Sequence, residues 1–442
     1  MAKKIIDQLV EYILSARDRP LPSDVVQRAK NHLLDTLAAI VSGSQLRPGQ
    51  LGIQFARSQG GIQEAAVLGS NLLTSAIWAA FANGISAHAD ESDDSNDRLH
   101  PGCSVVPAAW AMAEREKKTG KALLNAVVLG YDIASRFNKA LMTKSTSVAG
   151  TFGAAAAAGS LLALDAKKTG YLFSYAAQQA SGSNAWIGDD EHIEKAFDFG
   201  GISGRNGVTA ALLVQAGFTG NADVFEGDRN FLDEQSPPPE KNELVSELGT
   251  RYEITRGLIK KFPTGAPMQE AVEAMIRLVD RHGIKASDVA KVIVRLPERG
   301  ARTVNNRHMP DVNVQYIMSV VLLDGKLSFE AAHDYARMQD KNVLDLKARV
   351  ELVADEEMTR SARRYQASVE VILSQGQRFE EHVIDVRGRP QNPMTANEVE
   401  NKARELMTPV LGTARVNRLF DTIRNLESVA DIGEFRPLVI KS

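Results

Sequence analysis

Residues 83–107 read NGISAHADESDDSNDRLHPGCSVVP, a polar connection between two apolar runs that brings His88, Asp90, Asp93, Asp94 and His100 close together in sequence. An imidazole within hydrogen-bonding reach of a carboxylate is an acid–base pair, and histidine changes charge near neutral pH. In His100-Pro101-Gly102 one imidazole sits on a restrained turn just before an apolar run. The same residue types could ligate a metal. The spacing argues otherwise, because HExxH is absent and DESDDSND lacks the central glycine and terminal glutamate of a calcium loop. The expectation is a metal-free site. The competing reading is a solvated turn in which His100 merely caps or packs.

Basic positions complement the acidic run. Lys195 lies in EHIEKAFDFGGISGRNG, and Arg205 stands at the glycine-rich entry to the next apolar stretch. Lys260 and Lys261 precede Phe262-Pro263-Thr264-Gly265, where two parts of the chain with different composition meet. Such lysines are often no more than a solvated face. Domain junctions, however, are favoured places for ligands, and ammonium groups there suit an anionic one.

These residues need rigid elements to hold them. LLTSAIWAAFANGISAHA and CSVVPAAWAMAEREKKTG, which flank the polar run, both read as helices of small and apolar residues. Pro22-Ser23 opens a further helix, with Val26, Leu33, Leu34, Leu37 and Ile40 on one face. In GTFGAAAAAGSLLALD, glycines and consecutive alanines imply close helix packing, and no phosphate-binding glycine pattern is present. SPPPEKNE reads as a surface excursion. Beyond it, VAKVIVRLP at 289–297 and ASVEVILSQGQRFEEHVIDV at 367–386 predict strands, the second a hairpin turning at Ser374-Gln375-Gly376. Thr395 and Glu398 form a capping-box pattern that opens a helical tail. The expected fold is mainly α, with an all-helical domain from 1–258 and 398–442 and a smaller α+β lid domain over 262–394.

Composition narrows the function. Lys plus Arg number 52 against 55 Asp plus Glu, a net charge of −3, so no global basic character recruits nucleic acid. The single cysteine, Cys103, precludes an intrachain disulfide and cannot supply the thiolates of an iron–sulfur cluster. No run approaches a membrane span, and Asp7 and Glu11 interrupt the first apolar stretch, unlike a signal sequence. These features lead us to expect a soluble cytoplasmic protein.

The pieces LLDTLAAIVSGS, AAFANGISAHADESDD with HPGCSVVPAAWAMAE, GTFGAAAAAGSLLALD, GRNGVTAALLVQAGFTG, KKFPTGAPMQEAVEAM and VQYIMSVVLLDG occur in this order. In this they resemble the MmgE/PrpD family nearly end to end. The resemblance implies a helical domain with an α/β lid, a homodimer, no cofactor, an active site between domain and lid, and a small di- or tricarboxylate as substrate. Position by position, Asp90 matches the first aspartate of the family's HxxDFDDT motif and His100 the histidine of its HPS or HPG. Asp94 or Ser95 falls where relatives have threonine. Lys195 matches the lysine of KxxHxG, Lys260 the one before FP, and Tyr316 the tyrosine of QY. Lys144, Asp198 and Gly265 stand where relatives carry or often carry histidine.

On this resemblance Asp90, His100, Lys195, Lys260 and Tyr316 are the expected catalytic set, with Asp90 orienting His100 or acting as base. Asp94, Ser95, Lys144, Arg205, Lys261 and Gly265 are the expected substrate contacts. Dehydration is the leading reaction. The alternatives are decarboxylation of a cis-aconitate-like acid, epimerisation of an amino or imino dicarboxylate, or carboxylate binding without catalysis.

Overall fold

The computed structural model describes residues 3–142 and 145–441; Lys144 lies outside the described residues. The chain is mainly α-helical and divides into two compact units. The first contains the chain up to Ala89, then Asp93–Gly257, then the segment from Thr395 onward. The second contains Asp90–Ser92 and Leu258–Met394. The polar run singled out in the sequence therefore contributes to both units.

In the first unit, helices Ser23–Gly43, Ala76–Ala87, Pro101–Arg115, Gly120–Leu141, Thr146–Ser160 and Ile202–Gln215 build the core. Their buried faces are rich in alanine and glycine, so helix axes approach closely. A Cβ on Gly153 would lie 2.5 Å from that of Ala134 on the neighbouring helix, which explains a glycine in the middle of a helix despite its poor propensity. Pro101 occupies the first turn of its helix, where no N–H is needed, while Pro107 is accommodated inside the same helix. The half expected to be purely helical also contains a two-residue hairpin, Ala65–Ala66 with Leu73–Thr74. Among the described residues no helix is long and apolar enough to cross a membrane.

The tail helix Ala396–Leu411 opens with the capping box of Thr395 and Glu398. It carries Lys402, whose Nζ lies 2.6 Å from the buried carboxylate of Asp35 on Ser23–Gly43.

The second unit is built on a four-stranded sheet in the order Val350–Asp355, Val289–Pro297, Gln366–Leu373, Arg378–Ile384. The first pair is parallel and the others antiparallel, with Val292 opposite Val350 and Val294 opposite Val369. Val292, Val294, Leu296, Ala367, Val369 and Val371 are buried at alternate positions against a core that includes helices Gln269–His282 and Val314–Asp324. The hairpin turns at the expected residues, with Gly376 at φ +87°. Strand Val350–Asp355 was not expected, because only Val350 is buried and no alternation marks the rest.

Burial raises Asp35 to about 6, with Lys402 opposing that rise. Since this lies above the ordinary carboxylate value, Asp35 itself favours folding at low pH and opposes it as pH rises through 6. Lys402→Met should therefore cost about 3–5 kcal/mol at pH 8, where the carboxylate is left charged and unpaired. The loss should be much smaller at pH 5, as read from urea unfolding at the two pH values.

Candidate active site

In the helical unit two histidines share one carboxylate. His88 follows the last residue of Ala76–Ala87, and His100 immediately precedes Pro101–Arg115. The Nδ1 atoms lie 2.9 Å (His88) and 3.0 Å (His100) from Oδ2 of the buried Asp93. A carboxylate only accepts, so both imidazoles donate from Nδ1 and each presents Nε2. Nε2 of His88 is buried with no hydrogen-bond partner among the described residues. Burial, reinforced by Lys195 and His100, pushes His88 down to about 4 even though Asp93 pulls it up. His100 keeps 10% of its side chain exposed and so retains access to solvent.

Phe199 closes the other side of this array. Its ring stacks on His88 at 4.4 Å between centroids and lies 5.2 Å from His100. It belongs to a π-helical turn, Phe197–Gly201, a local geometry frequent at functional sites. Gly84 and Gly200 make that approach possible: a Cβ on either would come within 2.4 Å of the other's carbonyl oxygen. Lys195, half-buried on the short helix before the turn, places its Nζ 5.2 Å from the Phe199 ring centre and 5.6 Å from that of Trp186. His192, in the left-handed region at φ +61°, has its ring 5.0 Å from His88. His88, Asp93 and Cys103 are near enough to offer one atom each to a cation. Here Asp93 holds the two imidazoles, and the Cys103 thiol donates to the His100 carbonyl at 3.1 Å.

Several expected roles need correction. Asp94, expected to meet substrate, is fully buried and occupied by the protein. Its Oδ2 accepts from Tyr131 at 2.7 Å and meets His32 Nδ1 at 2.6 Å, while Oδ1 accepts the Gly102 amide at 3.0 Å. It thus anchors the helix that begins after His100. Ser95 is likewise buried. Asp93, not Asp90, holds His100. Arg205 is half-buried on Ile202–Gln215, with its guanidinium on the neighbouring Asn206 side chain at 3.0 Å. Asp198, where relatives have histidine, accepts from Ser145 and Ser147 at 3.0 Å, and burial raises it to about 6.

The second unit holds the remaining expected residues. Asp90 is buried beside His333, whose Nε2 lies 2.9 Å from Oδ2, and Ser92 donates to the same oxygen. Lys260 is fully buried, its Nζ 2.8 Å from Glu91 Oε2, so its charge already has a counter-ion. Lys261, expected to contact substrate, instead pairs with Glu273 at 2.6 Å from a partly exposed position. Gly265 donates its amide to the Asp311 carbonyl at 3.0 Å, and a Cβ there would meet nothing closer than 3.7 Å. Tyr316, expected in the catalytic set, sits in the core and donates its hydroxyl to the Ala331 carbonyl at 2.7 Å. Burial first, with nearby acidic residues, pushes that hydroxyl to about 12.

Models of the MmgE/PrpD N-terminal domain and of the MmgE/PrpD C-terminal domain match residues 7–243 and 262–428. The chain belongs to the MmgE/PrpD family. It is 26% identical to the cis-aconitate decarboxylase-like protein oryM of Aspergillus oryzae, over 98% of this chain and 96% of that one. It is 25% identical to the cis-aconitate decarboxylase of Homo sapiens, over 99% and 95% of the two chains. Against the cis-aconitate decarboxylase of Aspergillus terreus the identity is 25%, over 95% and 92%. Within this MmgE/PrpD chain, the residues that sequence reasoning left out are Asp93 as the shared anchor, Phe199 and His333. Asp93 could have been weighed from its spacing to His88 and His100. His333 lies in LSFEAAHDYARM, far from Asp90 in sequence, with no local signal of its role.

Gly102 supports the array because a Cβ there would lie 2.5 Å from both Asp94 Oδ1 and Thr36 Oγ1. Gly102→Ala should cost about 1–3 kcal/mol in thermal unfolding, as overpacking of a fixed core does. Its His100 resonances should shift in a histidine-labelled NMR spectrum.

Proposed function

We propose that this protein is a carboxy-lyase acting on a small, unsaturated, cis-aconitate-like polycarboxylate. The observation that carries the reading is the pair of imidazoles held by Asp93 beside the ammonium of Lys195. The full-length similarity to proteins named cis-aconitate decarboxylases supports carboxylate loss over the dehydration expected first.

The chemistry asks for two things. When the bond to the departing carboxylate breaks, its electron pair forms a new double bond. The pair of the old double bond then takes up a proton on the carbon beside a retained carboxylate. Carbon dioxide leaves, and the product has one carboxylate fewer. His100, as an imidazolium with Nδ1 on Asp93, delivers that proton from Nε2 and recovers one from solvent. Lys195 offsets the negative charge that builds on the retained carboxylate. His88, held neutral by burial, keeps the array from carrying two adjacent imidazolium charges.

Incubation with 13C-labelled cis-aconitate and a panel of related acids should release labelled carbon dioxide. His100→Asn should lower kcat by about a hundredfold or more with little change in KM. Lys195→Met should mainly raise KM, by about ten- to a hundredfold, as loss of a charge-assisted contact of about 1.5–3 kcal/mol requires. Release of water without carbon dioxide from hydroxylated acids would replace this reading with a hydro-lyase.

A further inference from the structure

The Asp90–His333 pair is not needed for the proton delivery just described, yet its geometry is that of a prepared base. His333 directly follows the short helix Phe329–Ala332, and its Nδ1 lies 2.6 Å from the Phe329 carbonyl. Nε2 faces Asp90 Oδ2 at 2.9 Å. Nδ1 thus meets an acceptor, while Nε2 makes no hydrogen bond among the described residues but lies at ion-pair distance from the carboxylate, an arrangement that suits an imidazolium. Tyr316 fixes the adjoining backbone through the Ala331 and Asp334 carbonyls. On Asp90 the occupancy is lopsided: Oδ2 accepts from Ser92 and faces His333, while Oδ1 is buried with no hydrogen-bond partner among the described residues.

We propose that His333 is a positioning residue for Asp90, holding it as an anion so that Oδ1 accepts a proton from the carbon beside a substrate carboxylate, and that the protein thereby exchanges and relocates this hydrogen. The inference rests on the reading that the substrate is a small unsaturated polycarboxylate. The C–H bond breaks, the proton passes to Oδ1, and the electron pair spreads over the adjacent double bond and carboxylate. Return of a solvent-exchanged proton to the same carbon regenerates substrate, whereas return at the far carbon gives its double-bond isomer. No co-reactant is required. The charged or polar groups around the pair are Ser92 on Asp90, and Asp311 and the Phe329 carbonyl on His333. Burial opposes the charge on His333, but Asp90 and Asp311 together raise it to about 9, and His333 and Ser92 lower Asp90 against its own burial. The ion pair thus persists from below the ordinary carboxylate range up to about pH 9.

The test is partial turnover of cis-aconitate in deuterium oxide, with recovered acid and released carbon dioxide measured separately. Recovered acid should carry deuterium with the wild-type protein, and with Asp90→Asn only at the protein-free rate. His333→Gln should slow exchange about ten- to a hundredfold and move its acidic limb to higher pH. Carbon dioxide release with undeuterated acid overturns this inference alone, as does an unchanged rate and profile in His333→Gln. Neither carbon dioxide nor exchange from the whole panel overturns the parent reading as well. Because His333→Gln could also disturb the fold, 15N-histidine NMR of the wild-type protein provides a check without turnover. At pH 7.5 the His333 ring should carry protons on both nitrogens, and a neutral ring overturns the proposal.

Discussion

The arrangement of histidines in the helical unit depends on one carboxylate shared by two imidazoles. Asp93 fixes the tautomer of His88 and His100 together, so that the position of one proton constrains the other. Two adjacent imidazolium ions on one buried carboxylate would leave an uncompensated positive charge next to Lys195, so the array favours a single one. Burial keeps the charge off His88. His88 is sealed under Phe199 and pushed down to about 4, whereas His100 keeps contact with solvent. The backbone contacts that bring Phe199 in, between Gly84 and Gly200, are thus electrostatic in their consequence although steric in their origin.

The Asp90–His333 pair shows how far the same two residue types can be driven the other way. His88 gives one nitrogen to a carboxylate and leaves the other buried without a partner, so burial dominates and the ring stays neutral. His333 has the carboxylates of Asp90 and Asp311 beside it, and against its own burial the ring stays charged up to about 9. Pairs of titratable groups whose surroundings drive their proton affinities apart are what acid–base chemistry near neutral pH requires. The distinction turns on the surrounding charges: Asp90 and Asp311 outweigh burial at His333, whereas Lys195 and His100 add to it at His88.

The sequence made much of this architecture legible. Periodic apolar faces marked the long helices, β-branched alternation marked strand 289–297 and the hairpin, and Thr395 with Glu398 formed the capping box their spacing implied. Strand Val350–Asp355 was illegible because an edge strand with only its first residue buried leaves no period to read. In the site, residue types were legible and partnerships were not. The run from His88 to His100 was visible as acid–base material, but which aspartate held His100 depended on how the loop folds back. Local pattern likewise said nothing of His333, whose importance comes from a contact across a long stretch of chain.

Three positions depart from the pattern that the family resemblance implies. Gly265 leaves room that a side chain would fill without a clash, since nothing lies closer than 3.7 Å to a Cβ there. Asp198 replaces an imidazole with a carboxyl group that burial holds near 6 and two serines occupy. Each replacement changes the charge or the hydrogen-bonding capacity that an imidazole would have at that position. Lys144 restores a positive charge in sequence where relatives have histidine. An ammonium is a compact, strongly hydrated charge without imidazole's directed donor and acceptor, so it attracts a carboxylate without aligning it as tightly.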